Sequence, residues 1–347
     1  MALTDRMIRI PDADRIRTQD PNNHLHCRKS QLLAHVAGRT PHSDLLMYRA
    51  LGSTSAVYRH CYLRGRDRWA FEAPYVTEDD LRLLGFDLLS AGTVDVDRFA
   101  AGLPELLAAG RPVLFYAPRH HFPHWVEFMD RVGTVAQERR LLHSFLVAGA
   151  SGSEVLLLDN TTDDHEYVPL TVGWDVLREG YAREPERWFV DCSTVVPRPG
   201  GPDLDGFESA YRAFLARFRD GFRIYDLIGE NLAAERAAAD AVYRAPGVNS
   251  IALLAGSRTL FARFLALTRH GEQVRAGYAD LAQLATALSD RINAFHAGAP
   301  ALTADRIRGD LAELRRREQR AAALLTAEAA RLPRLLPDGG GGGVADR

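Results

Sequence analysis

The sequence predicts an α+β protein with a mixed N-terminal part that contains antiparallel strands and a C-terminal part that is all helix. Three observations lead to this prediction. Residues 21–198 alternate between helix-like and strand-like segments. Two apolar runs, at 141–150 and 154–160, are joined by small residues in a pattern typical of a β-hairpin. From Gly206 onward the apolar spacing is helical.

Helix signals in the first part come from caps and from apolar periodicity. Cys27 begins an amphipathic run that we expect to be a helix. Ser43 is predicted to cap a second helix, and Thr77 with Asp80 matches a capping box that opens a third. A fourth helix is predicted over VDRFAAGLPELLAAG, residues 96–110.

Strands are predicted where short runs are rich in β-branched and aromatic residues. The predicted strands are VYRHCYL (57–63), RWAFEAPYV (68–76), RPVLFYAP (111–118), LLHSFLVAGA (141–150), EVLLLDN (154–160) and RWFVDCSTVV (187–196).

Composition sets the expected domain limits. Residues 196–206, VPRPGGPDLDG, read as a linker because they are rich in Pro and Gly. The prediction is therefore an N-terminal tail at 1–20, a first domain at 21–198, a helical domain at 202–335 and a disordered Gly-rich tail at 336–347.

Composition also excludes several functions. The chain has 347 residues, is 46% hydrophobic and carries a net charge of −2, so no global field favours nucleic acid or anionic lipid. No apolar run approaches the ~20 residues that a membrane span requires. The first twenty residues lack the apolar core of a secretory signal. With only three cysteines, the sequence predicts a cytoplasmic protein without a disulfide framework.

Cys27 is the leading candidate for chemistry. A cysteine at a helix N-terminus lies where the backbone dipole favours the thiolate. A nucleophilic thiolate requires a base and a group that orients the base. His143 lies on the first strand of the predicted hairpin and Asp159 at the end of the second, so the carboxylate can reach the imidazole. Cys, then a distant His, then Asp is the chain order of papain-like enzymes.

Each of these residues also has a structural interpretation. Cys27 can be a small buried apolar residue, His143 a hydrogen-bonded core histidine, and Asp159 a turn residue at a strand end. A zinc site at His24, His26 and Cys27 would need a second pair of ligands, and their spacing matches no common zinc motif. The sequence therefore predicts no metal. Arg119 could hold a phosphate, and His120 and its neighbouring histidines are expected to line a pocket or a loop surface.

Four blocks resemble the butirosin-biosynthesis H-protein (BtrH-like) family. They are HCRKSQLLAHVAGRTPHSDLLMYRALGSTSAVY, GRPVLFYAPRHHFPHW, LLHSFLVAGASGSEVLLLDN and VGWDVLREGY, and together they extend over about residues 22–182. The last block occupies the position of a short helix in the family.

The resemblance implies a papain-like fold and an aminoacyl transfer from the phosphopantetheine thioester of an acyl carrier protein to an amine. Carried over by position, Cys27 matches the nucleophile, His143 the base and Asp159 the orienting acid. The chain departs from the family at its Gly-rich turn, where only Gly52 remains, and after the Pro-Val strand, where an acidic residue is missing. Pro21 stands where papain-like peptidases have the oxyanion-hole Gln. Candidates for the oxyanion hole or for substrate contacts are Asn22, Asn23, His24, His26, Asn160, Arg119 and His120.

Three functions stay open at this stage. The first is a cysteine-dependent acyltransferase of bacterial natural-product biosynthesis, with an acyl carrier protein and a small amine or hydroxyl acceptor as partners. It uses no cofactor beyond its thioester substrate. The second is a cysteine peptidase, amidase or thioesterase with the same triad. The third is a non-catalytic binding module. A homodimer is an open option for its assembly.

Overall fold

The computed structural model describes residues 5–19, 24–131, 140–160, 166–238 and 245–337. Its contacts divide these residues into two compact units. The first unit takes the described residues of 1–21, 27–41 and 85–199, and the second those of 22–26, 42–84 and 200–347. The domain limits at 21–198 and 202–335 stay a prediction. In the structure, residues 42–84 belong to the same compact unit as the C-terminal helices.

Seven strands form a single sheet in the described part of the first unit, and every strand pair is antiparallel. Its order is β2-β7-β3-β4-β5-β6, and β1 pairs with the end of β4. The strands are β1 (Ile8–Arg9), β2 (Phe86–Gly92), β3 (Val113–Pro118), β4 (Leu142–Ala150), β5 (Glu154–Asp159), β6 (Val168–Gly173) and β7 (Val190–Pro197).

The helices fall into both units. Those of the described residues are α1 (Cys27–Ala37), α2 (Thr54–Tyr58), α3 (Glu78–Leu83), α4 (Val96–Ala108), α5 (Pro123–Arg131), α6 (Trp174–Arg183), α7 (Leu204–Arg217), α8 (Ile224–Ala238), α9 (Pro246–Ala266), α10 (Glu272–His296) and α11 (Ala304–Ala329). The α+β class, the antiparallel sheet and the helical C-terminal region are therefore confirmed. No described helix combines the length and the apolarity that crossing a bilayer requires.

The strands β3 and β4 pair at the core of the sheet. Val113 lies opposite Val147 at one end of this pairing, and Pro118 lies opposite Leu142 at the other. Both strands are apolar over most of their length and almost entirely buried, which fits central strands covered on both faces. This pairing sets Ala117 opposite His143. The predicted hairpin is confirmed as β4 and β5, which end and begin on either side of residues 151–153.

The second unit is organised around α9, a helix that is buried along most of its length. Residues 43–63 and the helices α8 and α10 all contact it. The predicted capping box is confirmed at α3, where the Thr77 hydroxyl accepts from the Asp80 N–H and Asp80 accepts from the Thr77 N–H.

Two predicted strands are wrong. Residues 57–63 form the end of α2 and a π-helix at Arg59–Leu63, because Val57, His60 and Cys61 bury a helical face rather than alternating. Residues 68–76 begin as a 3-10 turn at Arg68–Ala70. Phe71, Ala73 and Tyr75 are buried at alternate positions, as in a strand, but no described strand pairs with them.

The predicted cap at Ser43 is also wrong. A 3-10 turn runs over Ser43–Met47, and His42 occupies the N-cap position without a side-chain hydrogen bond. Asn22 and Asn23 lie outside the described residues, as does the Gly-rich tail from residue 338. The short helix expected after Val172 is α6.

Candidate active site

Cys27 is the first residue of α1, and its side chain is a half-buried thiol that forms no disulfide within the described residues. The first N–H groups of a helix have no partner inside the helix, and they create a positive potential at its start. A further N–H group, that of Ser144 on β4, donates to Cys27 Sγ across 3.4 Å. Both features favour a negatively charged sulfur at this position.

His143 and Asp159 meet across the hairpin. Leu146 lies opposite Leu158, and continuing this register places Asp159 opposite Phe145, two residues from His143 on the same face of the sheet. His143 Nε2 is 2.9 Å from Asp159 Oδ1, and both side chains are buried. Cys27 is also a hydrogen-bond partner of His143. Since Nε2 is engaged by Asp159, Nδ1 is the ring nitrogen that faces the thiol.

The charges of this group are coupled. Burial alone would lower the pKa of His143, but the charges of Asp159 and Cys27 overcome that effect and raise the pKa to about 9. Burial would also raise the pKa of Asp159, and the His143 imidazolium with hydrogen bonds from His124 and His143 holds it well below its usual range. At neutral pH His143 is therefore protonated between two acidic partners.

Two further residues around the acid were not identified from the sequence. Trp125 Nε1 donates to Asp159 Oδ2 at 2.7 Å, and His124 Nε2 lies 3.5 Å from the same oxygen. Both come from α5, in the RHHFPHW block. The sequence predicts that the histidines of this block line a pocket or a loop surface, and it does not single out Trp125. The rings of Trp125 and Phe145 lie 4.5 and 4.9 Å from that of His143. They shield the imidazole from water.

Gln31 was also missed. It lies four residues after Cys27 on α1, and its side chain is buried. Its Nε2 donates to the Ser144 carbonyl at 2.7 Å, and its Oε1 accepts from the Ser144 hydroxyl at 2.6 Å. Gln31 thus fixes the residue whose N–H reaches the sulfur. The available signal was a polar residue four positions after Cys27, on the same face of the helix.

The other predicted site residues lie in varied places. The Asn160 N–H donates to Asp159 Oδ1 at 2.9 Å, so this residue contacts the site through its backbone. His24 is a core residue of the second unit, stacked on Tyr75, and burial lowers its pKa to about 3. Because its side chain is entirely buried, it offers no surface to a substrate. His26 pairs with Glu72 in the same unit at 2.6 Å.

Arg119 and His120 follow β3 in a short turn beside this site. The Arg119 guanidinium lies over the Trp125 ring at 5.2 Å. His120 Nε2 and His121 Nε2 both lie within hydrogen-bond distance of Glu184 Oε1, at 3.0 and 2.8 Å. Among the described residues, His120, His121 and Glu184 are the one group whose ligand atoms lie close enough together, within 4.8 Å, to hold a metal ion. Arg187 already holds the other oxygen of Glu184, at 2.7 Å, so ion pairing accounts for the cluster without a metal.

Comparison with known proteins gives one distant relative. No family model matches the chain. A transferase of Niallia circulans is 25% identical over 126 residues, which are 36% of this chain and 39% of that protein. By its name, that enzyme moves 4-(gamma-L-glutamylamino)-(S)-2-hydroxybutanoate from the BtrI acyl-carrier protein to ribostamycin.

The matched region spans about two fifths of the relative's length. The comparison therefore supports a distant relationship to an acyltransferase that uses a carrier protein, and with it the resemblance drawn from the sequence blocks. The chain is thus distantly similar to a carrier-protein-dependent acyltransferase.

Proposed function

We propose that the chain is a cysteine-dependent acyltransferase that takes an acyl group from a carrier-protein thioester and gives it to an amine or hydroxyl of a small acceptor. One observation carries the proposal: Cys27 at a helix start faces His143, whose other ring nitrogen is held by the buried carboxylate of Asp159. The distant similarity to a carrier-dependent transferase supports the choice of substrate class.

The first half-reaction loads the cysteine. The Cys27 thiolate attacks the thioester carbonyl carbon, and an oxyanion forms. Collapse of this intermediate breaks the bond to the pantetheine sulfur, which leaves as a thiolate and takes the proton from the His143 imidazolium. Exchange of one thioester for another is close to thermoneutral, so this step needs no nucleotide.

The second half-reaction transfers the acyl group. His143, now neutral, accepts a proton from the acceptor amine or hydroxyl as it attacks the acyl-Cys27 carbonyl. The bond to Sγ breaks and the Cys27 thiolate and His143 imidazolium are restored. We propose the Cys27 N–H at the start of α1 as one oxyanion donor, with Asn22 or Asn23 as candidates for the second.

A papain-like arrangement is part of this proposal. It is supported by a nucleophile-bearing helix, α1, that packs on β4 of an antiparallel sheet whose adjacent strands carry the base and the acid. Two alternatives use the same fold. A hydrolase would use the same three residues and pass the acyl group to water, and a binding module would have no activity. The test must therefore separate three outcomes.

The test is to mix the protein with an acyl-pantetheine thioester and to follow its intact mass. We expect one acyl group on Cys27 that is stable in buffer and released by an amine acceptor. Cys27→Ser abolishes the adduct. Cys192→Ser keeps it, because burial raises the pKa of Cys192 to about 12 and leaves that thiol unreactive. Rapid release to free acid would instead indicate a hydrolase, and no adduct would indicate a binding module.

A further inference from the structure

A short segment of the second unit exposes apolar side chains that the rest of the unit buries. Leu63 is 64% exposed and Trp69 is 44% exposed. They are the two large apolar side chains exposed in the described part of this unit, and they lie six residues apart. Scattered exposed apolar residues are ordinary, but two in one short segment point to a surface that something covers.

The same segment is positively charged. Arg59, Arg64 and Arg66 are exposed and form no ion pair within the described residues. By contrast, Arg49 and Arg263 of the same unit are each paired with a carboxylate. We call Arg59, Leu63, Arg64, Arg66 and Trp69 the basic-apolar patch. Residues 59–69 hold four arginines and one carboxylate, that of Asp67, so the segment is positive although the whole chain carries a net charge of −2.

The backbone beneath the patch is held in place. His60 Nε2 lies 2.6 Å from the carbonyl of Asp67, and the Arg66 N–H donates to the carbonyl of His60 at 3.1 Å. The Arg68 N–H donates to Asn249 Oδ1 on α9 at 3.2 Å. Because the turn is already ordered, a partner that binds it loses less conformational entropy than it would on a mobile loop.

The Trp69 ring also has a neighbour that holds it. The Arg68 guanidinium lies 4.3 Å from the centre of the Trp69 ring, so this ring carries a cation on one face. An exposed tryptophan beside several arginines is a composition enriched at protein interfaces. The partner that fits it has carboxylates around a small apolar surface.

We propose that the basic-apolar patch docks an acidic carrier protein that delivers the acyl thioester. This inference rests on the proposed function. Carboxylates on the carrier would pair with Arg59, Arg64 and Arg66, and its apolar residues would cover Leu63 and Trp69. Charge complementarity of this kind raises the association rate and makes it fall with salt.

The decisive experiment compares two donors of the same acyl group, one on the carrier protein and one on free pantetheine. In the variant R59E/R64E/R66E, we expect KM for the carrier-bound donor to rise at least tenfold and its salt dependence to disappear. Loading of Cys27 from free pantetheine stays unchanged, since that donor has no protein to dock. A matched control reverses Arg306, Arg320 and Arg331 of the final helical region, which are exposed and form no ion pair among the residues that the structure describes.

A second variant, L63S/W69A, removes apolar contacts without changing charge, and we expect it to raise the same KM with salt dependence retained. The proposal is overturned if the carrier-bound donor reacts normally in both patch variants, if the control variant is equally impaired, or if both donors lose activity together. It is also overturned if the patch binds anionic vesicles and not the carrier. Failure of the wild type with both donors refutes the proposed function instead.

Discussion

Gln31 and Ser144 exchange two hydrogen bonds, one to the Ser144 carbonyl at 2.7 Å and one from its hydroxyl at 2.6 Å. The Nε2 and Oε1 atoms of the buried Gln31 amide therefore both form their hydrogen bonds with Ser144. The N–H of that residue donates to Cys27 Sγ at 3.4 Å. In the proposed mechanism Gln31 is a positioning residue, because it orients a peptide group whose dipole would stabilise the Cys27 thiolate.

We expect Gln31→Leu to slow alkylation of Cys27 by iodoacetamide about tenfold at pH 7, in line with the loss of about 1.4 kcal/mol of thiolate stabilisation. The pH at half-maximal alkylation should move upward. The measurement is the alkylation rate as a function of pH, which a purely structural role would not shift.

Gln273→Leu serves as the matched control, since Gln273 is exposed on α10 of the other unit. An unchanged pH profile in Gln31→Leu, together with a lower free energy of unfolding, would reduce Gln31 to a structural residue.

Asp159→Asn keeps the shape of the acid and removes its charge. Burial lowers the pKa of His143, and the Asp159 charge is the largest effect that opposes it, so the pKa of the imidazole should fall in the variant. A smaller fraction of His143 then carries the positive charge that pairs with the thiolate. We expect the rate of Cys27 acylation to fall about 10²- to 10⁴-fold. Asp175→Asn, an exposed change on α6, is the control, and a rate within threefold of wild type in Asp159→Asn would contradict the assigned role.

The raised pKa of His143 also makes stability depend on pH. The folded protein holds this proton up to about pH 9, whereas an unfolded histidine releases it near 6.5. The contribution is therefore complete below pH 6.5 and is lost as the pH rises through about 9. Between pH 7 and pH 10, the free energy of unfolding of the wild type should fall more than that of His143→Gln, by on the order of 1–3 kcal/mol.

Urea unfolding at both pH values checks this difference. His296→Gln is the control, because burial lowers the pKa of His296 and its imidazole does not change charge in this range. Equal losses in the wild type and in His143→Gln would show that His143 does not hold its proton in the folded state.

Trp125 and Trp174 provide a matched pair of buried indole donors. Trp125 Nε1 donates to Asp159 at 2.7 Å, and Trp174 Nε1 donates to the Ser151 carbonyl at 2.9 Å. Either change to Phe should cost about 1–3 kcal/mol of stability, because each removes a hydrogen bond to a buried acceptor. Only Trp125→Phe should also lower the acylation rate and shift its pH profile. Equal kinetic effects in the two variants would place Trp125 outside the site.

Part of this site follows from local sequence. His143 and Asp159 lie on two strands joined by Ser151, Gly152 and Ser153, and a short hairpin brings such positions together whatever the rest of the fold does. The approach of Cys27 to His143 is a contact between residues more than a hundred positions apart. It was inferred from chain order rather than from any local pattern.

Other parts depend on packing that local patterns do not encode. The indole of Trp125 reaches Asp159 because α5 packs at that position, and nothing in RHHFPHW specifies it. Residues 57–63 combine aromatic and β-branched residues, which favour a strand, with a helical spacing of Val57 and Cys61. The packing of residues 57–63 against α9 stabilises the helix. Short runs of this kind stay ambiguous until their partners are known.

The cluster of His120, His121 and Glu184 supplies the last prediction. Glu184 accepts from both imidazoles and from Arg187, and although burial opposes them, these partners lower its pKa to about 2. Its charge therefore persists below the ordinary glutamate pKa of 4.5, and its contribution to stability, complete above that pH, is lost as the pH falls through about 2. Since no proposed step passes through this cluster, dialysis against EDTA should leave the rate of Cys27 acylation unchanged.

Glu184→Gln should lower the free energy of unfolding at pH 7 by on the order of 1 kcal/mol, because it weakens three charge-assisted hydrogen bonds. Glu186→Gln, an exposed change two residues away, should have no effect. Urea unfolding measures the stability, and metal analysis of the purified protein completes the comparison. If EDTA abolished acylation and zinc restored it in the wild type but not in Glu184→Gln, the cluster would be a metal site that the reaction requires, and the proposed mechanism would have to include it.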